Sequence, residues 1–433
     1  MKFKSTRNDN AQISFRNAVL SGIAEDGGLF IPNKIPKLPD SFFKNIENIS
    51  FKKIALRVAK SFIKEINEKD LAKIIRRSIG FPIPLVNLSK NISVLELFHG
   101  PTLSFKDVGA RFLSNSLIYF LKGIKKEVLI LVATSGDTGS AVANSFYKMD
   151  GVKVALLYPR GGVSKIQEQQ LTTFGKNIFA FEVDGTFDDC QRLVKTAFLD
   201  EQLKNNFYLT TANSINLARL IPQTFYYFNI YKQIKDKSRP LVVSVPSGNL
   251  GNLTAGLIAK KMGLPVKIFI SALNSNKVFD SFLKTGKFVP RKTIHTLSNA
   301  MDVGSPSNFE RIKSIFGDDV VELRNNIIPF SFSDKKTLLA IKEIKEKYNY
   351  VADPHGAIGY LSLVKFLKQN KNFQGVFLET AHPAKFVDTV NDAIGGNIKI
   401  PKRLSVCLKK KKLSIKTSKD FSKFKKTLIK VIF

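Results

Sequence analysis

The spacing of hydrophobic positions changes along the chain. Up to about residue 80, apolar residues recur at helical intervals within residues 13–23, 54–66 and 71–79, so we predict amphipathic helices there. From about residue 94, short apolar runs alternate with Gly/Ser-rich turns and longer helical stretches. That alternation is typical of an α/β fold with a parallel sheet. The predicted strands are residues 127–133, 152–158, 178–183, 241–245 and 266–270.

These patterns divide the chain into three predicted parts. A helix-rich N-terminal lobe occupies residues 1–85, an α/β core residues 86–400, and a Lys-rich C-terminal helix or tail residues 401–433. In the last part, Phe421, Phe424 and further apolar residues recur at helical spacing, so we expect a basic amphipathic helix that packs back onto the body. A membrane-surface helix is the alternative.

Length and composition exclude several classes of protein. With 433 residues, 44% hydrophobic and 24% charged, the chain can bury a sizeable core, and its composition is that of a globular protein. No apolar run approaches the roughly 18 residues that a membrane span needs, so we expect no membrane partner. The first residues lack the apolar core of a signal peptide, and we expect a cytoplasmic protein.

Cysteine and histidine are too few and too scattered to predict a disulfide framework or a metal site. Cys190 and Cys407 are far apart and neither belongs to a CxxC pair, whereas thiolate metal sites and disulfide scaffolds have closely spaced cysteines. The four histidines show neither HxH nor HExxH spacing. We therefore predict no bound metal.

The net charge of +33 raises the question of a nucleic-acid partner. Residues 401–433 hold eleven Lys, one Arg and one Asp, a net +11, and the rest of the excess is spread thinly. Only 14 of the 68 basic residues are Arg, although Arg forks dominate base and phosphate recognition. We interpret the charge as solvated Lys faces and expect no nucleic-acid partner.

Two Gly-rich turns follow predicted strands and precede helices, where backbone N–H groups bind anions. The first covers residues 245–256 (VPSGNLGNLTAG) and suits a phosphate, although it has neither Walker nor GxGxxG spacing. The second covers residues 133–141 (ATSGDTGSA) and offers four hydroxyls, so a carboxylate fits there as well as a phosphate. Alone, each could be an ordinary turn between a strand and a helix.

A lysine in a third segment, residues 99–109 (HGPTLSFKDVG), completes a candidate site. We place Lys106 in the first turn of a helix capped by Ser104. The positive end of the helix dipole disfavours an ammonium there and lowers its pKa, which makes a free amine available for Schiff-base chemistry. A surface ion pair with Asp107 is the alternative.

Seven segments resemble, in order, signature segments of the threonine synthase family. The resemblance extends from about residue 5 to about residue 400, and STRN and FRNAVLSGIAEDGGLFIP are similar to that family's N-terminal lobe. The seven segments are HGPTLSFKDVGARF, ATSGDTGSA, LYPRGGVS, NSINLARL, VPSGNLGNLTAG, LSNAMDVGSPSN and TAHPAKF.

The resemblance implies a pyridoxal-phosphate enzyme of fold type II, in which two parallel-sheet lobes hold pyridoxal 5'-phosphate in the cleft between them. Residues 86–400 would be the catalytic core. The implied reaction converts O-phospho-L-homoserine and water into L-threonine and phosphate, with no obligate protein partner. The alternative is another fold-type-II enzyme, such as a serine/threonine dehydratase or a cysteine synthase, but those lack the long N-terminal lobe and the TAHPAKF segment.

The resemblance also implies roles for individual residues. Lys106 resembles the Schiff-base lysine, and Thr380 the hydroxyl residue that faces the pyridine nitrogen. The loop around the cofactor phosphate would consist of Gly248, Asn249, Leu250, Gly251 and Asn252. The loop that holds the amino-acid end of the substrate would consist of Ser135, Gly136, Asp137 and Thr138.

Some positions carry no clear assignment. Arg160, and after it Lys165 and Arg111, are basic candidates for the leaving phosphate because they lie near the motifs. His382 is expected to pack in a His-Pro turn, with a catalytic role as the alternative. Three residues depart from the family pattern: Leu250, Asn252 and Glu379, where Phe, Asp and a small residue are usual.

Overall fold

Thirteen strands are present in the computed structural model, which describes residues 1–10, 12–123, 126–317 and 319–432. They are β1 Phe3–Ser5, β2 Phe30–Pro32, β3 Leu85–Asn87, β4 Ile92–Glu96, β5 Val128–Ala133, β6 Val152–Pro159, β7 Ile178–Asp184, β8 Tyr208–Thr211, β9 Leu241–Pro246, β10 Ile268–Leu273, β11 Ile327–Ser331, β12 Gln374–Glu379 and β13 Ser414–Ser418.

The strands form two large sheets and one small ribbon. The six-stranded sheet has the order β11-β10-β9-β12-β4-β3, and all its pairs are parallel except β3 with β4. The five-stranded sheet has the order β13-β7-β6-β5-β8 and is wholly parallel. Strands β1 and β2 pair antiparallel in the N-terminal part. All six residues of the interior strand β5 are buried, as expected for a parallel sheet covered on both faces.

Twenty α-helices connect and cover these strands within the described residues. They are α1 Phe15–Ser21, α2 Asp40–Lys44, α3 Phe51–Phe62, α4 Glu68–Ser78, α5 Lys106–Phe120, α6 Asp137–Phe146, α7 Lys165–Thr172, α8 Phe187–Ala197, α9 Glu201–Asn206, α10 Leu217–Leu220, α11 Thr224–Gln233, α12 Gly251–Lys261, α13 Val278–Thr285, α14 Phe309–Phe316, α15 Val320–Asn326, α16 Asp334–Tyr348, α17 Pro354–Gln369, α18 Val387–Ile394, α19 Lys402–Leu408 and α20 Phe421–Ile432. Short 3-10 turns cover Ile46–Asn48, Ile221–Gln223, Asn299–Met301 and Pro383–Phe386. Within the described ranges, no helix combines the length and the apolar character that crossing a bilayer requires.

The N-terminal helices share a hydrophobic core with the α/β part. Phe15 of α1 packs edge-on against Phe120 of α5, with ring centroids 6.0 Å apart. Helices α3 and α4 bury one apolar face each, and α4 packs against α5. The N-terminal lobe therefore supports the helix that begins at Lys106.

The predicted helices and strands are present in the structure. The helical patterns at residues 13–23, 54–66 and 71–79 correspond to α1, α3 and α4. Each of the five predicted strands is observed, with ends that differ by up to three residues. The predicted C-terminal amphipathic helix is α20, which buries Phe424, Leu428 and Ile432 against the five-stranded sheet and α8.

The C-terminal segment is more closely integrated than its Lys-rich sequence indicates. Strand β13 (SIKTS) has no apolar alternation, yet it pairs with β7 and forms the edge of the five-stranded sheet. The interpretation of a fully solvated Lys face is wrong for Lys412. Its ammonium lies 2.6 Å from Glu168 Oε1 and 2.9 Å from the largely buried Glu182 Oε2.

Candidate active site

A cleft of about 320 Å³ lies where the two large sheets meet. Its walls come from the residues that follow β5 and β9, the carboxyl ends of two parallel strands, which is where open α/β sheets bind ligands. Lys106, Ser135, Thr138 and Asn249 all line this cleft. The structure thus brings together one residue from the lysine segment and residues from both predicted anion-binding turns.

Lys106 is held in place by its neighbours in the chain. It is the first residue of α5, and the backbone N–H of Phe105 donates to Thr380 O at 2.8 Å. A further bridge joins Ser104 to Ala381. The lysine segment is therefore attached to the end of β12 in the six-stranded sheet. The Lys106 ammonium lies 4.5 Å from the centroid of the Phe105 ring.

Burial and, to a smaller extent, the nearby guanidinium of Arg219 lower the pKa of Lys106 to about 8, against the opposing effect of Asp137. The sequence also predicted a lowered pKa for Lys106. The main cause, however, is burial together with a second cation, and not the helix dipole. The alternative of a surface ion pair with Asp107 is wrong. Asp107 is buried and accepts hydrogen bonds from Thr102 N at 2.9 Å and Thr102 Oγ1 at 2.6 Å. Lys106 therefore has a neutral amine available near physiological pH.

The Gly-rich loop after β9 is built around a left-handed residue. Leu250 has a φ of +59°, and it precedes the 11-residue helix α12. Asn249 is fixed on both sides of its amide: Oδ1 accepts from Ser307 N at 2.5 Å, and Nδ2 donates to Ser214 Oγ at 2.9 Å. The loop therefore presents the N-terminus of α12 in a defined position, which is the arrangement that binds phosphate groups.

Gly248 is required at its position, and Asn252 supports the loop from inside. A Cβ at position 248 would lie 2.7 Å from the Cα of Met301, so any other residue would push two backbone segments apart. Asn252 is buried, donates from Nδ2 to Pro246 O at 2.7 Å and accepts from Ser247 Oγ at 2.6 Å. Among the loop residues predicted to hold the cofactor, Asn249 is the one found among the described lining residues of the cleft.

The turn after β5 is shaped by its own hydrogen bonds. Thr134 Oγ1 accepts from Gly136 N at 3.0 Å and from Gly139 N at 2.8 Å. Ser135 and Thr138 face the cleft, whereas Asp137 is buried beneath the turn. Burial would raise the pKa of Asp137, but the ammonium of Lys385, 2.6 Å away, holds it below its ordinary value.

The basic residues predicted for the leaving phosphate lie elsewhere. Arg160 is exposed, and its Nε lies 3.9 Å from Glu182. Lys165 is exposed at the start of α7, and Arg111 donates to Arg77 O at 2.8 Å. None of these three candidates is among the described residues that line the cleft.

Two other basic side chains do line the cleft. They are Arg7, which pairs with Glu310 at 2.6 Å, and the exposed Lys195 on α8. The sequence offered a signal for Arg7, because it lies in the STRN piece that resembles the family. Lys195 could not be singled out from the sequence, because it lies in a helical pattern like many other lysines.

Two further residues complete the description of the site. Asp302, from the LSNAMDVGSPSN segment, also lines the cleft, and burial raises its pKa to about 6. Thr380 is buried next to the Lys106 segment, and its carbonyl accepts from Phe105. Within the described chain, no three His, Cys, Asp or Glu side chains are grouped closely enough to hold a metal ion.

His382 has the environment of a packing residue. Its ring is edge-on to Phe98 at 5.2 Å, and Nδ1 accepts from Ala384 N at 3.1 Å. Burial lowers its pKa to about 4. The ring is therefore neutral at physiological pH and caps the turn at Pro383–Phe386.

These residues fit pyridoxal 5'-phosphate. An aldehyde cofactor needs a primary amine that can lose its proton, which Lys106 supplies. A phosphate group needs backbone donors at a helix N-terminus, which the 248–252 loop supplies, and the close approach at Gly248 leaves no room for a side chain there.

Comparison with known proteins identifies the family. A family model described as "Threonine synthase N terminus" matches residues 2–79, "Pyridoxal-phosphate dependent enzyme" matches residues 81–376, and "Threonine synthase, C-terminal" matches residues 356–428. The chain is 43% identical over 435 residues to a threonine synthase of Buchnera aphidicola subsp. Schizaphis graminum, covering 99% of this chain and 100% of the relative.

Solved structures agree with the sequence comparison. The crystal structure of threonine synthase from Escherichia coli matches with a TM-score of 0.94 at 41% identity, covering 100% of both chains. A structure described as pyridoxal-phosphate-bound threonine synthase from Brucella melitensis matches with a TM-score of 0.89 at 34% identity, covering 98% of this chain and 97% of that one. The chain has the fold-type-II architecture, and it belongs to the threonine synthase family of pyridoxal-phosphate-dependent enzymes.

Proposed function

We propose that this protein converts O-phospho-L-homoserine and water into L-threonine and phosphate. The observation that carries the proposal is the position of Lys106, which lies in one cleft with Ser135, Thr138 and Asn249 and has a pKa lowered to about 8. An amine with that pKa can bind an aldehyde cofactor and can also accept and return a proton near neutral pH.

The binding roles are those that the family resemblance implies, and the positions of the residues support them. We assign the cofactor phosphate to the loop of Gly248, Asn249, Leu250, Gly251 and Asn252, at the N-terminus of α12. Thr380 adjoins the Lys106 segment and is assigned to the pyridine side. Ser135 and Thr138 face the cleft and bind the amino-acid end of the substrate, while Gly136 and Asp137 shape that turn.

The chemistry requires few protein groups. Pyridoxal phosphate held by these residues would supply an electron sink that makes the proton on the substrate Cα, and afterwards a proton on Cβ, acidic enough to remove. Lys106 Nζ accepts the Cα proton and returns protons later in the reaction. Phosphate leaves from Cγ and water adds at Cβ, so the products contain the atoms of the substrate plus one water.

The leaving phosphate is assigned to basic side chains inside the cleft. Arg7 and Lys195 line it, whereas Arg160 does not. Arg7 presents a planar fork that can bind two phosphate oxygens once it is released from Glu310. We therefore propose Arg7 as the main phosphate anchor and Lys195 as a second positive charge at the mouth of the cleft.

A serine/threonine dehydratase remains the competing function because it uses the same lysine chemistry. The matched N-terminal and C-terminal segments, residues 2–79 and 356–428, support threonine synthase activity. We also propose that residues 1–85 form the N-terminal lobe, residues 86–400 the catalytic core and residues 401–433 the basic C-terminal segment.

The deciding experiment compares substrates. Purified protein loaded with pyridoxal phosphate is given O-phospho-L-homoserine, O-phosphoserine, O-acetylserine or L-threonine, and phosphate, threonine and ammonia are measured. We expect equal amounts of phosphate and threonine from phosphohomoserine and little turnover of the others. Ammonia release from L-threonine as the faster reaction would identify a dehydratase instead.

A further inference from the structure

A buried ion pair joins the two large sheets beside the cleft. Lys385 Nζ lies 2.6 Å from Asp137 Oδ1, and the side chains are 0% and 5% exposed. Lys385 follows β12 of the six-stranded sheet, and Asp137 follows β5 of the five-stranded sheet. Buried ion pairs rarely add stability over apolar residues of the same shape, but they can select one arrangement of the chain. The pair therefore calls for an explanation other than stability.

The same ammonium reaches the segment that carries the reactive lysine. Lys385 Nζ donates to Thr102 O at 3.0 Å, in addition to Asp137. Gln167 Nε2 donates to Asp137 Oδ1 at 2.9 Å, and Asn299 Nδ2 donates to Gln167 Oε1 at 3.0 Å. This network consists of Lys385, Asp137, Gln167, Asn299 and the carbonyl of Thr102. It connects the lysine segment, the turn after β5 and the segment that contains Asn299, yet none of its residues is among the described lining residues.

Local hydrogen bonds attach the substrate-facing turn to its own sheet but not to the Lys106 segment. The bonds that Thr134 Oγ1 accepts are internal to residues 134–139, and Thr134 N donates to Leu157 O of β6. Its position relative to the Lys106 segment depends on the packing of α6 against α5 and on contacts that reach the other sheet. Gln167 packs directly against the turn, because a Cβ on Gly136 would lie 2.7 Å from Gln167 Cδ. Lys385 supplies the contact between this turn and residues 99–106.

We propose that Lys385 is a positioning residue that holds the substrate-binding turn at residues 134–138 in register with the Lys106 segment. The proposal rests on the substrate role given above to Ser135 and Thr138. Loss of the contact displaces the turn and weakens substrate binding more than it slows the chemical step, because the residues just before Lys106 keep their own attachments, Phe105 to Thr380 and Ser104 to Ala381.

Three variants test the proposal. Lys385→Met keeps the length of the side chain and removes the charge, but leaves Asp137 buried and unpaired. The double variant Asp137→Asn/Lys385→Met leaves no unpaired charge, yet does not rebuild the contact to Thr102. Lys412→Met is the matched control. It also removes a lysine that forms ion pairs, in this case with two carboxylates, but this lysine lies outside the cleft.

We measure kcat and KM for phosphohomoserine, the melting temperature, and hydrogen–deuterium exchange of peptides that cover residues 134–146. For Lys385→Met we expect a lower melting temperature, faster exchange in those peptides and a KM raised at least about tenfold, with a smaller change in kcat. The double variant should recover the melting temperature but keep the raised KM and the faster exchange. Lys412→Met should leave KM and this exchange unchanged.

Two results would overturn the proposal. In the first, Lys385→Met melts earlier but keeps wild-type KM and exchange below its melting temperature, so that the pair is structural only. In the second, the double variant recovers wild-type KM and exchange, so that the contact is unnecessary. If Lys385→Met does not fold, the KM and the exchange of the double variant decide instead. If wild-type protein forms no threonine, the proposed function fails, and the exchange data alone decide on the positioning of the turn.

Discussion

Gly356 and Glu379 fit together only because position 356 has no side chain: a Cβ there would lie 1.6 Å from Glu379 Oε2. Glu379 is fully buried at the end of β12, immediately before Thr380. Its Oε1 accepts from Asp353 N at 2.5 Å, and Oε2 has no hydrogen-bond partner among the described residues. Burial and the neighbouring carboxylate of Asp353 raise the pKa of Glu379 well above its ordinary value. Burial therefore favours the protonated form of Glu379 in the folded protein.

We predict that Glu379→Gln stabilises the protein relative to wild type as the pH rises. Above pH 4.5 the unfolded wild-type chain ionises Glu379 while the folded chain keeps the proton, so the folded state binds more protons and wild-type stability falls with rising pH. The slope from one such group is at most about 1.4 kcal/mol per pH unit. The glutamine side chain does not ionise, so this dependence of stability on pH disappears in the variant.

Urea unfolding at pH 5, 6 and 7 measures this difference. The control is Glu346→Gln, which changes an exposed glutamate. A difference between Glu379→Gln and wild type that stays constant across this range would show that Glu379 is ionised in the folded state.

Lys106 is predicted to bind pyridoxal phosphate covalently. Borohydride reduction followed by peptide mapping should place the label on Lys106, and Lys106→Ala should bind the cofactor without a covalent link and form no threonine. Because the neutral amine reacts, the rate of covalent capture by the apoprotein should rise with pH and reach half its maximum near pH 8. A label on another lysine, or threonine formation by Lys106→Ala within tenfold of wild type, would contradict the assignment.

Gly248→Ala is predicted to weaken cofactor binding. The added Cβ would lie 2.7 Å from Met301 Cα and 2.9 Å from Ala300 O, and these are backbone atoms that cannot rotate away. Overpacking of this kind costs about 1–3 kcal/mol. The free protein can relieve it by moving the loop, but the phosphate requires the original loop position, so the Kd for pyridoxal phosphate should rise by up to about 150-fold. Titration of the apoprotein measures it. Gly80→Ala is the control, since a Cβ there meets nothing within 4 Å, and an equal effect of both variants would exclude the loop contact as the cause.

The phosphate anchor can be located by comparing arginines. Arg7→Gln should raise KM for phosphohomoserine at least about tenfold, because a charge-assisted bond to phosphate is lost, and Lys195→Gln should raise it less. Arg160→Gln, which changes a residue outside the cleft, should leave KM near that of wild type. Steady-state kinetics on the three variants decide this. A larger effect of Arg160→Gln than of Arg7→Gln would indicate that Arg160, and not Arg7, binds the substrate phosphate.

The C-terminal lysines are predicted to have no role in substrate capture. Replacing Lys409, Lys410 and Lys411 by Gln should leave kcat/KM unchanged at moderate salt, because screening over roughly 8–10 Å mutes exposed charges far from the site. Lys412 is left unchanged in this test because of its contacts with Glu168 and Glu182. A severalfold loss in kcat/KM at low salt that disappears as salt is added, with kcat constant, would instead indicate electrostatic steering.

The sequence predicted the parts of the site that depend on residues close together in the chain. Each Gly-rich turn directly follows a buried apolar run, so the position of the turns at strand ends could be predicted, and with it the neighbourhood of Lys106, Ser135 and Asn249. Contacts between distant segments could not be predicted in this way. Nothing in the local pattern pairs Lys385 with Asp137, and nothing near Arg160 shows that it points away from the cleft.

The pairing of edge strands could also not be predicted from the sequence pattern. Strand β13 alternates no apolar residues, because an edge strand needs only backbone partners and one covered face. Its place beside β7 is set by α20, whose apolar face could be predicted but whose docking position could not.

The late position of β13 in the chain has a consequence during protein synthesis. Strand β7 ends at Asp184, whereas its outer neighbour begins at Ser414. At typical translation rates of 5–20 residues per second, the ribosome needs roughly 10–45 s to make the intervening chain. Throughout that interval the nascent five-stranded sheet has an unpaired edge, which is a template for wrong pairing with other chains. Premature termination between residues 385 and 413 would leave that edge permanently open, so such truncated products should aggregate even though they contain every residue assigned here to catalysis.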